Sequence, residues 1–290
     1  MDWLENMLLP WAFLFDANKR IYWLYLLSSL IIAVVVSGKQ VFSRNVLNQS
    51  SAVDVCWFFI NQWLFKLLIV PLLVLQVSYI LSVNNFLIDL FGTGNFWRLN
   101  QSLLILLFTF ILFICQDFCK FLVHFAFHKI PFLWRFHAVH HSATSMTPLT
   151  LYRIHPIEML FNSMRSFFVA VLISALFIYL FKNHLGIKHI LGVNVFVFVF
   201  NIAASNLRHS HVYLGFSKLE HLFISPAQHQ IHHSIDVKHY DKNFGSALAI
   251  WDSLFNSLLL SKGQSVSAFG LDQKTINRQS VKQQWWGVKS

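Results

Sequence analysis

The pattern His-x-x-His-His-Ser occurs twice in this chain of 290 residues, as "HAVHHS" at 137–142 and as "HQIHHS" at 229–234. Imidazole is a common ligand of transition metals. On a helix the outer histidines of each motif can face one point, but two adjacent histidines diverge by about 100° around the axis. Adjacent histidines therefore cannot easily bind the same ion. The repeated pattern predicts two metal ions that lie side by side.

A further pair of histidines lies upstream, in "DFCKFLVHFAFH" (117–128). Asp117, His124 and His128 fall on one stripe of a helix, because they are separated by seven and four residues. A carboxylate in that position can accept the free N–H of a metal-bound imidazole and set its tautomer. We therefore predict that Asp117 supports one of these histidines. The alternative interpretation is a helix end whose histidines complement the helix dipole.

The chemistry of the candidate ligands restricts the metal. They are almost all imidazoles, which suits zinc, copper, iron or nickel. No cysteine lies near the histidine clusters in the loops, which disfavours a structural zinc site with thiolate ligands. Neutral imidazoles leave the full positive charge on the ions. A ligand derived from oxygen could balance that charge, which fits a redox-active di-iron centre.

The elements that position these histidines are apolar. The chain is 56% hydrophobic and only 12% charged, whereas soluble domains have about 25% charged residues. The composition therefore predicts an all-α integral membrane protein with four or five membrane-embedded helices and a cytoplasmic, helical, histidine-rich cap that holds two metals. The candidate membrane segments are 21–36, 56–81, 102–115, 166–181 and 190–205.

Charge and polarity predict the organisation of the chain. The net charge of +10 is spread along the loops, so we predict no nucleic-acid partner. The positive-inside rule places both histidine motifs on the cytoplasmic side. We predict a single structural domain, with an N-terminal transmembrane region (1–116), a catalytic region (117–260) that includes a helical membrane hairpin (166–205), and a polar C-terminal tail (261–290).

The order of five segments resembles the fatty acid hydroxylase superfamily, which includes sterol desaturases and alkylglycerol monooxygenase. The resemblance covers about half of the chain. It implies a membrane-bound non-haem di-iron oxygenase that hydroxylates or desaturates a lipid or sterol-like substrate. The segments are "DFCKFLVHFAFH" (117–128), "WRFHAVHHS" (134–142), "RIHPIE" (153–158), "PAQHQIHHS" (226–234) and "NFGSALAIWDSLF" (243–255).

The resemblance also implies roles for individual residues. His155 is implied to be either a tenth ligand or a supporting group, and Asn243 is implied to support the site together with Asp117. His211 stands where bacterial relatives often have asparagine, and Asn256 stands where the family usually has glycine. The implied metal ligands are His124, His128, His137, His140, His141, His209, His229, His232 and His233.

Such an enzyme would need two iron ions, dioxygen and an external source of electrons. The chain contains no haem-attachment motif, cysteine quartet or dinucleotide-binding fingerprint. We therefore predict a separate electron-transfer partner (a reductase, cytochrome or ferredoxin) or a reduced pterin. A membrane lipid is the predicted substrate, and the bacterial inner membrane is favoured over the endoplasmic reticulum. The alternative function is a membrane zinc hydrolase that cleaves a lipid amide or ester with Glu158 as general base.

Overall fold

The computed structural model describes residues 12–42, 48–182, 185, 190, 194–203, 205–271 and 280–288. These residues are mostly helical, and their extended segments pair only at three isolated bridges. The α-helices are α1 (Trp23–Ser37), α2 (Gln49–Leu68), α3 (Val70–Val74), α4 (Gln76–Phe91), α5 (Gln101–Lys129), α6 (Pro131–His141), α7 (Pro156–Leu180), α8 (Val195–Ile202), α9 (Pro226–His232), α10 (Ile250–Leu254) and α11 (Val281–Gln284). Short 3₁₀ helices cover Phe13–Phe15, Gly38–Phe42, Pro148–Tyr152, Ser205–His209, Ser217–His221 and Val237–His239.

Two of the described helices are long and apolar enough to cross a membrane, namely α5 with 29 residues and α7 with 25. Helix α1 is also apolar but has only 15 residues. The segment predicted at 56–81 is divided between α2, α3 and α4, and Pro71, which lacks a backbone N–H, is the second residue of α3. The connection of the hairpin predicted at 166–205 lies largely outside the described residues. The predicted number of spans therefore stays a prediction.

The surfaces of α5 and α7 are apolar and open. Leu103 and Leu106 on α5, and Phe168 and Leu172 on α7, are each more than half exposed. Soluble monomers rarely expose continuous apolar surface of this kind. These two helices are therefore suited to contact with lipid.

Helices α5 and α7 pack side by side and run in opposite directions. Phe108 contacts Phe177 with ring centroids 5.3 Å apart, and further along α5 the Gln116 side chain donates to the Ser166 carbonyl at 2.8 Å. The C-terminal end of α5 and the N-terminal end of α7 therefore meet at one end of the molecule. The histidine motifs lie at that end.

A proline sets the direction of the first histidine motif. Helix α5 ends at Lys129, and Ile130 is extended, with φ −101° and ψ 112°. The residue before a proline is disfavoured in the helical region, and Pro131 is then well suited to start α6. The chain turns at Ile130 for this reason. The turn brings the histidines of α6 back towards those at the end of α5.

Candidate metal centre

The structure brings the nine candidate ligands together in two adjacent groups. Within each group the ring nitrogens lie within 4.8 Å of one another. The five-histidine group contains His124, His128, His137, His141 and His232, and the four-histidine group contains His140, His209, His229 and His233. Both groups lie at the end of α5 where α6 and α9 converge.

Each HxxHH motif contributes to both groups. The first motif supplies His137 and His141 to the five-histidine group and His140 to the four-histidine group. The second motif supplies His229 and His233 to the four-histidine group and His232 to the five-histidine group. Adjacent histidines therefore point into different groups, as helical geometry requires. The groups touch through the rings of His141 and His233, which stack with centroids 4.4 Å apart.

The separations between ring nitrogens fit metal coordination. The Nε2 atoms of His124 and His137 are 3.0 Å apart, those of His209 and His229 are 3.1 Å apart, and those of His229 and His233 are 3.2 Å apart. Metal–nitrogen bonds of about 2.0–2.1 Å at octahedral or tetrahedral angles separate neighbouring ligand atoms by about 2.9–3.4 Å. The donor atoms are therefore spaced as ligands of a shared ion.

Several of these nitrogens are buried and have no protein partner. The Nε2 atoms of His128, His141 and His232 form no hydrogen bond within the described part of the chain. Buried polar atoms in native proteins nearly always have a partner. Three converging nitrogens of this kind in the five-histidine group fit a metal ion as the common partner.

The protein environment keeps six of these imidazoles neutral, which is the form that binds metals. Burial, which penalises the charged form, is the first cause, and neighbouring histidines reinforce it. Burial lowers the pKa of His140 and of His232 to about 3. The pKa is also held well below its usual value in His141, His209, His229 and His233.

Main-chain carbonyl groups orient two histidines of the five-histidine group. Nδ1 of His124 lies 2.7 Å from the Phe244 carbonyl oxygen, and Nδ1 of His232 lies 2.8 Å from the Lys242 carbonyl oxygen. Because a carbonyl only accepts, both Nδ1 atoms donate, and both Nε2 atoms are left to bind a metal. Asn243 lies between these two carbonyl groups, with a left-handed φ of 57° that asparagine tolerates.

The Asn243 side chain holds this turn in place. Its amide donates to the carbonyls of Gln228 and Leu259 at 3.1 and 2.9 Å, and its oxygen accepts from the Leu259 amide at 2.8 Å. Gln228 belongs to α9, which carries the second histidine motif. The described contacts thus place Asn243 behind the histidines as a support.

A carboxylate lies behind a histidine of the first motif, but it belongs to Glu158 and not to Asp117. Glu158 Oε1 is 3.0 Å from Nδ1 of His137, and both side chains are buried. This is the carboxylate–histidine arrangement that orients metal-bound imidazoles. From the sequence alone, Glu158 is expected only as a general base. Its place at the start of α7, three residues after His155, is the signal that could have identified it.

The prediction that Asp117 supports an imidazole is corrected by its contacts. Its carboxylate accepts from the backbone amides of Ala247 and Leu248 at 2.9 and 3.0 Å, and from Trp251 Nε1 at 3.0 Å. Asp117 lies on the same stripe of α5 as His124 but two turns earlier, where the 247–251 segment packs against the helix and takes up its carboxylate. It anchors this segment to the long helix.

His155 lies outside both histidine groups. Its Nδ1 accepts from the Ile157 amide at 3.2 Å and caps α7, while Nε2 lies 2.9 Å from the Trp285 carbonyl and donates to it. Both ring nitrogens are therefore engaged by the backbone. Of the two interpretations of His155, the structure favours a supporting residue. His211 also lies outside the groups.

The segment 280–288 contacts the helix that carries the first motif, which the sequence alone does not predict. Gln284 Oε1 accepts from Trp57 Nε1 at 2.7 Å, and Gln284 Nε2 donates to Ser142 Oγ at 3.0 Å. The Val288 amide donates to the Arg135 carbonyl at 2.7 Å. The segment 280–288 therefore holds this helix near its middle, at Arg135, and at its C-terminal end, where Ser142 follows the first motif.

A cavity of about 320 Å³ lies elsewhere in the protein. It is lined by Leu81 and Ile88 of α4 and by Ile178 and Tyr179 of α7, among others. Some twenty residues of α7 separate it from Glu158, a distance of about 30 Å. The cavity is therefore remote from both histidine groups.

Removing the carboxylate of Glu158 tests its support of His137. Glu158→Gln retains the size of the side chain but weakens the interaction with Nδ1, so we expect metal affinity to fall by about 10–100-fold. Release of metal to a chelator measures the effect. Asp89→Asn, which changes an exposed carboxylate of α4, is the control. Unchanged metal release in Glu158→Gln would contradict the support.

Gln284→Ala tests the contact between the C-terminal segment and the first motif. The change leaves the buried Trp57 N–H without its acceptor, so we expect a loss of stability of about 1–3 kcal/mol. We also expect faster release of metal, because the helix that carries His137 loses an attachment at Ser142. Thermal unfolding and chelator kinetics measure the two effects. Lys282→Ala, an exposed position nearby, serves as the control, and equal behaviour of both variants would argue against the contact.

Comparison with known proteins connects this geometry to a family. The model of the fatty acid hydroxylase family matches residues 109–257. This range contains both HxxHH motifs and all nine histidines of the two groups.

The chain is also similar to two curated proteins. It is 24% identical over 169 residues to alkylglycerol monooxygenase from Caenorhabditis elegans, a match that covers 56% of this chain and 30% of that protein. It is 28% identical over 145 residues to ornithine lipid hydroxylase OlsE from Rhizobium tropici, covering 50% of this chain and 39% of that protein. The matches thus span between about a third and two fifths of these relatives. No solved structure matches the chain.

Proposed function

Because the chain belongs to the fatty acid hydroxylase family, we propose that it is a membrane-bound oxidoreductase that hydroxylates a lipid or sterol-like substrate with dioxygen. The main observation behind the proposal is that a group of five histidines and a group of four contact each other where two long apolar helices meet. Iron bound there would supply the activation of dioxygen that attack on an unactivated C–H bond requires.

The nine grouped histidines are the proposed ligands of two iron ions. Nitrogen spacings of 3.0–3.3 Å, buried nitrogens without partners and neutral imidazoles all support this assignment. Glu158, the carbonyls around Asn243 and the Arg153 carbonyl would hold the rings with Nε2 directed inwards. Because these groups contact the Nδ1 atoms, none of them would take up the space beside the Nε2 atoms where the ions would bind.

The proposed substrate reaches the site from the bilayer. The open apolar surfaces of α5 and α7 support a position in the membrane, and both helices lead to the histidine groups. The two named relatives are a monooxygenase of an alkylglycerol and a hydroxylase of a lipid, which supports lipid hydroxylation over desaturation. We place the histidine groups on the cytoplasmic side, in the bacterial inner membrane, where a separate electron-transfer protein or a reduced pterin would supply the electrons.

The alternative, a zinc hydrolase with Glu158 as general base, is less well supported. A general base must reach the water or substrate on the open side of the metal. Glu158 instead lies 3.0 Å from Nδ1 of His137, on the side of the ring opposite Nε2. Nine histidines are also more than a hydrolytic zinc site with three protein ligands uses.

Metal analysis and product analysis together test the proposal. Protein purified without oxygen and reconstituted with ferrous iron is expected to hold about two irons per chain, as the two histidine groups imply. Under labelled dioxygen, membranes that contain the protein should yield a hydroxylated lipid that carries the label. A single zinc ion that iron does not replace, with no labelled product, would overturn the proposal. Labelled hydroxylation that stops when iron is chelated would establish it.

A further inference from the structure

Four cationic side chains gather beside the histidine groups: Arg20, Lys120, Arg165 and Arg208, here called the basic cluster. Arg165 contacts Gln116, one turn before Lys120 on α5, and Arg20 Nε lies 3.5 Å from the side-chain oxygen of Asn206, two residues before Arg208. The charges of all three guanidinium groups act on the Lys120 amine, and the charge of Arg20 acts on Arg208. The four residues come from separate parts of the chain: the turn before α1, helix α5, helix α7 and the 205–209 turn. Only the tertiary structure brings these positive charges together.

The basic cluster lies between the metal centre and the apolar lengths of the two long helices. Lys120 precedes His124 by one turn of α5, towards the apolar N-terminal part of that helix. Arg165 follows Glu158 by two turns of α7, and Arg208 directly precedes His209. A lipid that enters between these helices would meet the basic cluster immediately before the histidines.

The positive charges of the basic cluster are not balanced by the protein. Within the described part of the chain, none of its four members forms an ion pair. The nearby carboxylate is that of Asp117, which accepts from two backbone amides and from an indole N–H. The four cationic side chains therefore have one nearby carboxylate, and that carboxylate already accepts three hydrogen bonds from other groups.

The hydrogen bonds of the basic cluster go to neutral acceptors. Arg165 donates to the carbonyl and side-chain oxygens of Gln116 at 3.0 and 2.6 Å. Arg208, which is buried, donates to the carbonyls of Ser205 and Ser246. The Lys120 amine forms no hydrogen bond or ion pair with the residues described.

Two donors of the basic cluster are buried without any acceptor. They are Nη2 of Arg20 and Nε of Arg165, neither of which has a partner in the described ranges. Unpaired buried cationic donors are costly, and an anion with several oxygens can satisfy them through charge-assisted hydrogen bonds. Cations that only orient a protein in the membrane would lie at its surface, whereas Arg208 is 3% exposed.

We propose that the basic cluster binds the phosphate or carboxylate group of an anionic lipid substrate and holds it next to the metal centre. The inference rests on the proposed function and specifies its substrate class. With the anionic group held about one helical turn from His124, the reacting C–H bond belongs to the part of the lipid near its headgroup. The distal end of the acyl chain would remain towards the bilayer.

Binding by metal-free protein tests the site without any turnover. The full chain in nanodiscs of phosphatidylcholine is compared with the chain in nanodiscs that also contain phosphatidic acid, and a third sample receives inorganic phosphate at matched ionic strength. We expect phosphatidic acid to raise the unfolding temperature of the wild type. Lys120→Met should unfold at a higher temperature than wild type without anions, since one repulsive charge is gone, and should lose the response to phosphatidic acid. A response to inorganic phosphate as well would show that the free anion also enters the basic cluster.

Turnover by the iron-loaded enzyme tests the consequence for substrate choice. With phosphatidic acid and diacylglycerol of the same acyl chains, we expect wild-type kcat/KM to favour the anionic lipid by about tenfold or more, the effect of one charged contact. Lys120→Met and Arg165→Gln should each remove most of this preference, mainly through KM. Lys218→Met, which removes an exposed cation, should keep it.

The outcomes separate this inference from the proposed function. Equal kcat/KM for both lipids in wild type, or an unchanged response to phosphatidic acid in both Lys120→Met and Arg165→Gln, would overturn the inference while hydroxylation stands. Absence of iron and of any hydroxylated product would instead overturn the proposed function. In that case the binding of phosphatidic acid by metal-free protein still decides whether the basic cluster is an anion site.

Discussion

Replacing His140 by alanine is expected to empty the four-histidine group and to lower lipid hydroxylation by about a thousandfold or more, because ligands of one centre act as a unit. His140 lies in the first motif, yet its Nε2 is 3.3 Å from that of His209 and its ring contacts that of His233. His232→Ala should have the corresponding effect on the five-histidine group. Iron analysis should find about one iron per chain in each variant, since each leaves one group complete.

Double variants test whether His140 and His232 each belong to the group that contains two histidines of the other motif. His141 and His232 belong to the same group although they come from different motifs. His141→Ala/His232→Ala should therefore lose little more iron than either single variant, because members of one group are not additive. His140→Ala/His232→Ala should lose nearly all iron. His221→Ala, an exposed histidine outside both groups, is the control. If iron loss in the double variants depended on which sequence motif the two histidines belong to, and not on which spatial group they belong to, the assignment of His140 and His232 to opposite groups would be wrong.

Asp54→Ala is expected to destabilise the protein by about 3–5 kcal/mol, because it leaves the buried charge of Arg153 without its counterion. Arg153 Nη1 is 3.2 Å from Asp54 Oδ1, and both side chains are fully buried. Asp54 Oδ2 accepts from Thr150 Oγ1 at 2.6 Å. The carbonyl of Arg153 lies 3.2 Å from Nδ1 of His140 and accepts from it. Loss of Asp54 should therefore also speed metal release from the four-histidine group.

The destabilisation can be separated from the effect on metal. Chemical unfolding of metal-free Asp54→Ala measures stability, and chelator kinetics of the loaded protein measure release. The double variant Asp54→Leu/Arg153→Met removes both charges, so it should recover much of the stability. Asp89→Ala, on an exposed part of α4, is the control. An Asp54→Ala protein as stable as this control would contradict the role of the ion pair.

The ion pair also shows why parts of the chain outside the matched family range matter to the site. Asp54 in α2 and Gln284 in the C-terminal segment both lie outside residues 109–257, yet each contacts a group next to a proposed ligand. In the sequence, the position of Asp54 directly before an apolar stretch indicates that its carboxylate needs a buried partner. Its partner could not be identified, because 99 residues separate it from Arg153.

The sequence by itself determined the features that depend on local geometry. A helix repeats every 3.6 residues, so the HxxHH pattern already required adjacent histidines to diverge. The same periodicity placed His124 and His128 on one stripe. Composition was sufficient to predict a helical protein with long apolar segments, and the order of the motifs was sufficient to indicate the family.

Only the tertiary structure decided which groups meet. Asp117 and Glu158 are both carboxylates close in sequence to histidines, but α5 presents Asp117 to the 247–251 segment, while the start of α7 presents Glu158 to His137. The exchange of His140 and His232 between groups, and the gathering of the basic cluster, likewise depend on how distant helices pack. Local sequence sets the direction of a side chain from its own helix. What lies in that direction is set by contacts between segments far apart in the chain.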